Sequence, residues 1–166
     1  MAKLKTSINL TVSILLIVLA TTSYAAQNNS GATENLSPEL RQLLIKEMRA
    51  IEKAMIKIIP AIAAGNSMEI ANIANNIEKS YILTASLTTK QKNELQEKLP
   101  LSFLQLDEKF HYYSGMLAHV ALNKKTELVG FYFSKLLESC SNCHSEHAKH
   151  KFPNFIVDDH ENAHAH

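Results

Sequence analysis

From Leu44 the chain places apolar residues at Met48, Ile51, Met55, Ile58 and Ile62, at spacings of 4, 3, 4, 3 and 4. That rhythm is one face of an α-helix buried against neighbours. Ser37-Pro38-Glu39 opens the segment: Ser suits the cap, Pro the first helical position, and Glu the positive helix end. Gly65 supplies the stop, and Pro60 falls in the last turns, where it can kink or shorten that end. A second helix opens at Asn66 or Ser67 and turns Ile70, Ile73, Ile77, Tyr81 and Thr84 inward, fraying before Thr88. Thr88-Thr89-Lys90-Gln91 has capping-box spacing, so Thr89 to about Lys98 reads as a short connecting helix on the surface, ending before Pro100. A third long helix runs from about Leu101 to Asn123 with Phe103, Leu106, Phe110, Tyr113, Leu117 and Val120 on one face. Thr126 reads as the cap of a fourth, which carries Val129, Tyr132, Phe133, Leu136, Leu137 and Cys140 toward His147. Four amphipathic helices with short links specify an all-α, antiparallel four-helix bundle.

Composition narrows this further. The 166 residues fit one domain, and the four glycines, at 31, 65, 115 and 130, are too far apart to build a GxGxxG turn or a P-loop. Four Gly and four Pro also leave too few turns for a β-sandwich. The formal charge is +1 with Lys and Arg dispersed, so there is no nucleic-acid footprint. No Ser/His/Asp or paired-carboxylate arrangement stands out, and no enzymatic activity is expected.

Residues 1–25 have the layout of a secretory signal: Lys3 and Lys5, an apolar run from Ile8 to Ala20, then Ser23-Tyr24-Ala25 with small residues before the cleavage point. The apolar run is shorter than the roughly 20 residues needed to span a bilayer, so cleavage after Ala25 is expected rather than anchoring. Losing two lysines and no acid turns the charge from +1 to −1. Residues 26–36 read as a polar flexible leader, 37–155 as the helical domain, and 156–166 as a solvated tail with His160, His164 and His166. The expected location is the periplasm.

The two cysteines carry the chemistry. Cys140-Ser141-Asn142-Cys143-His144 is the pattern C-x-x-C-H, read as covalent c-type haem attachment. On a helix, Cys143 and His144 stand three and four residues after Cys140, on the same face. Two thiols can thus reach two vinyl groups while the imidazole reaches the iron. Two cysteines at random would fall three apart with a following His only about once in 1,700 sequences of this make-up. Three other readings compete. A zinc site using His147 or His150 as well would put all four ligands on one helix, which cannot surround a tetrahedral ion. A redox dithiol usually follows a strand, absent here. A disulfide between helical i and i+3 cysteines would be strained.

A secreted helical bundle whose C-x-x-C-H ends the last helix resembles the class II cytochromes c, the group that includes cytochrome c′. The resemblance covers roughly residues 36–155, and its specific part is Cys140 to His144 plus the helix order. It implies one covalent haem c inside the bundle near one end, held by Cys140 and Cys143, with His144 as proximal iron ligand. It also implies a first-helix residue facing the distal side, periplasmic redox partner proteins and a possible homodimer. The chain departs from the family after the motif, where His147 and Ala148 replace an aromatic and a basic residue, with Lys149 or Lys151 as basic substitutes.

The sixth iron position decides the function. A Met thioether there makes a low-spin electron carrier, and an apolar residue leaves a site for NO or CO. Met48 is the candidate distal ligand, since it lies on the first-helix stripe in the half set beside His144. Met55 lies on the same stripe about 10 Å deeper. Met116, His111 and His119 flank the third-helix stripe, Met68 sits in a first turn, and Arg41 is a candidate for a haem propionate. The expected function is single-electron transfer. The alternatives are a five-coordinate gas-binding protein and a haem-free metal-binding protein using the cysteines and C-terminal histidines.

Overall fold

A computed structural model describes residues 31–79 and 87–155. Among them there are five α-helices and no strand: α1 Pro38–Ala63, α2 Ser67–Glu78, α3 Thr89–Lys98, α4 Leu101–Leu122 and α5 Thr126–His147, with short 3-10 turns at Ala32–Asn35 and Pro153–Phe155. The protein is all-α over this range. The assigned signal (1–25), Tyr81, Thr84 and the tail (156–166) lie outside the described residues. No helix among those described is long and apolar enough to cross a membrane.

The helix ends follow local chemistry. At the end of α1, Gly65 takes φ +64, its N–H donates to Ile62 O at 3.0 Å, and Asn66 N–H donates to Ala61 O at 2.9 Å. This is a Schellman closure, for which glycine carries no steric cost. Pro60 is accommodated within α1, which runs on to Ala63. Asn66 Oδ1 accepts from Glu69 N–H and caps α2. The Thr88–Gln91 capping box forms, with Thr88 N–H donating to Gln91 Oε1 at 2.9 Å and Gln91 N–H donating to Thr88 Oγ1 at 3.3 Å. Two cap expectations are corrected. Ser37 makes no side-chain cap bond; its N–H donates instead to Glu94 Oε1 at 2.6 Å, tying the start of α1 to α3. Thr126 is the first residue of α5 rather than its cap, because the turn before it closes through Lys124 at φ 54, with Lys125 N–H donating to Val120 O at 2.9 Å.

α1 packs on α2, α2 on α4, and α4 on α5. The main apolar cluster unites Ile51 and Ile58 of α1, Ile70 and Ile77 of α2, Phe110 and Leu117 of α4, and Val129 and Leu136 of α5. A smaller one joins Leu36, Leu40, Leu44 and Leu99, with Phe103 and Leu95 against it. This second cluster changes the expectation of a flexible leader up to residue 36. Ala32–Asn35 form a turn and Leu36 is buried, because Leu36 continues the apolar contacts of Leu40 and Leu44.

The inward face of α1 is also shifted. The buried residues are Leu40, Leu44, Glu47, Ile51, Ala54, Met55, Ile58 and Ala61. Met48 is 40% exposed whereas Glu47 is 1% exposed. The expectation that Met48 lies on the buried stripe is therefore corrected: Glu47 takes that inward position, while Ile62 is partly buried against the main cluster as expected. Met55 is buried as expected.

Candidate functional site

Cys140, Cys143 and His144 lie on the last two turns of α5. Both cysteines are free thiols and partly buried, and Cys140 packs against the main apolar cluster. Burial raises the Cys140 pKa. Cys143 is pushed up to about 11, first by burial and then by the negative charges of Asp107, Cys140 and Glu146. Both are therefore neutral thiols at pH 7. A redox dithiol instead lowers the pKa of its attacking cysteine, so the dithiol reading loses ground. Burial lowers the His144 pKa, which keeps its imidazole neutral with a lone pair available.

Beyond α5 the chain folds back. Ala148 N–H donates to His144 O at 3.0 Å, and Phe152 N–H donates to the carbonyls of Ala148 and Lys149, each at 3.1 Å. The turn lays the Phe152 ring flat on the His144 imidazole, with centroids 4.1 Å apart and planes 9° from parallel. His147 points elsewhere, to the start of α4. Its Nε2 is hydrogen-bonded with the Ser102 hydroxyl at 3.3 Å and its ring lies 5.4 Å from Phe103. His150 lies 3.7 Å from Glu34, and a Cβ on Gly31 would collide with its ring. The two histidines that a zinc reading would recruit thus have separate partners, and the start of the described chain sits against the turn that follows the motif.

On α4, opposite the motif helix, lies a partly buried histidine with charged neighbours. His111 Nδ1–H donates to Ile77 O at 2.7 Å, and its Nε2 lies 3.6 Å from Asp107. Burial acts to lower the His111 pKa, but Asp107, the Ile77 carbonyl and the charge of Glu47 outweigh it, and the net shift is upward. Glu47 on α1 thus acts on His111 of α4, and Asp107 of α4 acts on both His111 and Cys143 of α5. His111, which flanks the third-helix stripe, is partly buried and bonded to α2.

Comparison with family profiles, characterised proteins and solved structures found no match. The structure brings Cys140, Cys143 and His144 to one place and sets Met48 outside the core. Met68 is exposed, Met116 is partly buried, and His119 is exposed at the end of α4. Of the aromatic run, Tyr132 and Phe133 pack on the main cluster and Phe131 is exposed. The sequence reading missed Glu47 and the stack of Phe152 on His144. Glu47 sits in the 4-3 register of Leu40, Leu44 and Ile51, which could have marked it. Nothing in the spacing marks Phe152, because its position depends on the turn after α5.

Proposed function

We propose that the chain is a periplasmic c-type cytochrome, a four-helix bundle that binds one covalent haem c and carries single electrons. The observation that carries this reading is the placement of Cys140, Cys143 and His144: in C-x-x-C-H spacing they share one face of the last turns of α5. The donor set fits the group. Cys140 and Cys143 would hold the group through thioether bonds, each S–H adding across a vinyl C=C with no oxidant required, and His144 would offer a ring nitrogen to the iron. When bound, the haem iron accepts and releases one electron, and the protein contributes ligation, orientation and a partly dry surround. Partners are redox proteins of the same compartment.

A second reading has a specific observation in its favour. Met48 is 40% exposed and Glu47 takes the inward position, which favours an iron whose sixth site is open to NO or CO over one ligated by Met48. The optical and EPR spectra of the exported, haem-loaded protein separate the two. A low-spin ferric iron that turns high-spin in Met48→Ala supports the His144/Met48 carrier. A high-spin iron in the wild type, unchanged by Met48→Ala and binding CO rapidly when reduced, supports the open site. A colourless protein from cells that haem-load other exported cytochromes contradicts both.

A further inference from the structure

We infer that Phe152 is the positioning residue of the proximal imidazole, its ring face setting the rotation of His144 about the bond to iron. The inference rests on the haem reading above and deepens it. A metal-bound histidine is ordinarily oriented by the partner of its second ring nitrogen. Among the described residues His144 makes no hydrogen bond through either ring nitrogen, and what touches its ring face-on is Phe152, at 4.1 Å and 9°. A parallel stack covers the face of an imidazole and leaves the nitrogens on its edge free. It therefore restrains rotation without occupying the lone pair that a metal needs.

Phe152 is itself fixed. Its N–H is held by two carbonyls of the preceding turn, and its own carbonyl accepts from Phe155 N–H at 3.1 Å. The end of α5 from which that turn departs is held to α4 by His147 through Ser102 and Phe103. The Phe152 ring is 39% exposed, so it contributes little to the core, and its removal acts on His144 before it acts on the fold.

The proton NMR spectrum of the ferric holoprotein tests this, because the order and spread of the haem methyl resonances report the plane of the axial imidazole. Haem content is measured first in each protein. In Phe152→Ala, and in Phe152→Leu, which keeps apolar volume but loses the flat ring, the methyl resonances shift and reorder while one covalent haem is retained. Phe152→Tyr, which keeps the ring face, gives the wild-type pattern. A wild-type pattern in the Ala or Leu variant with haem attached overturns the positioning role and leaves the haem reading intact. A wild-type protein that takes up no covalent haem overturns the haem reading and this inference with it.

Discussion

Around Ile58, Ile70, Leu117 and Val129 the interior is aliphatic, and the hydroxyl buried nearby, Ser114, donates to Ala74 O at 2.8 Å. Toward the motif polar groups join the aliphatic ones: Glu47 is buried on α1 alongside Leu40 and Leu44, His111 is partly buried against Ile77 O with the half-exposed Asp107 beside it, and the thiols and imidazole of α5 follow. Buried charge costs stability unless it is paired. The aliphatic end has the composition that stability alone selects, and the motif end carries polar groups that stability alone would not place there. Stability and chemistry are thus assigned to different ends of one set of helices.

Substitutions at the two ends can break that division. Leu117→Ala, at a fully buried aliphatic site, costs about 2–5 kcal/mol by urea unfolding and leaves the visible spectrum of the haem-loaded protein unchanged. A changed spectrum there would show that the ends are not separate. At the motif end, the raised His111 pKa gives a pH dependence of definite sign. Its contribution is complete below the unfolded value of about 6.5 and is lost as pH rises through the higher folded value. The thermal midpoint therefore falls with rising pH above about 6.5, and His111→Gln flattens that fall; an equal fall in the variant would exclude His111 as its source. Thr88→Ala removes the capping box of α3, which covers the Leu40–Leu99 cluster, at a cost of about 1 kcal/mol. The smallest expected effect is a gain. Lys124 closes the α4–α5 turn at φ 54, and Lys124→Gly relieves that strain by up to about 1 kcal/mol, read as a higher urea midpoint.

Much of the fold was legible because helix signals are local. The Thr88–Gln91 capping box, the Gly65 stop and the start of α1 at Pro38 were readable from neighbouring residues. The face of α1 was harder, since two heptad registers overlap there. One runs through Leu44, Met48, Ile51, Met55, Ile58 and Ile62, and the other through Leu40, Leu44, Glu47, Ile51, Ala54, Ile58 and Ala61. They share Leu44, Ile51 and Ile58. Hydrophobicity favours the first, yet Glu47, Ala54 and Ala61 are buried. Alanine permits close helix approach, and the charge of Glu47 is felt by His111 on α4; neither shows in an apolar periodicity. At the site, Cys140, Cys143 and His144 were legible because one helix brings them together. The stack of Phe152 on His144 was not, because a turn of irregular chain sets which ring it meets.

The central claim, that Cys140 and Cys143 are thioether anchors, is tested most directly by the intact mass of the denatured, exported protein beside that of Cys140→Ser/Cys143→Ser, both produced with the haem-attachment machinery. The account predicts a wild-type polypeptide heavier by one haem that survives denaturation, and a double variant at the bare polypeptide mass. A wild-type protein at the bare polypeptide mass, or a double variant that retains the added mass, would contradict it.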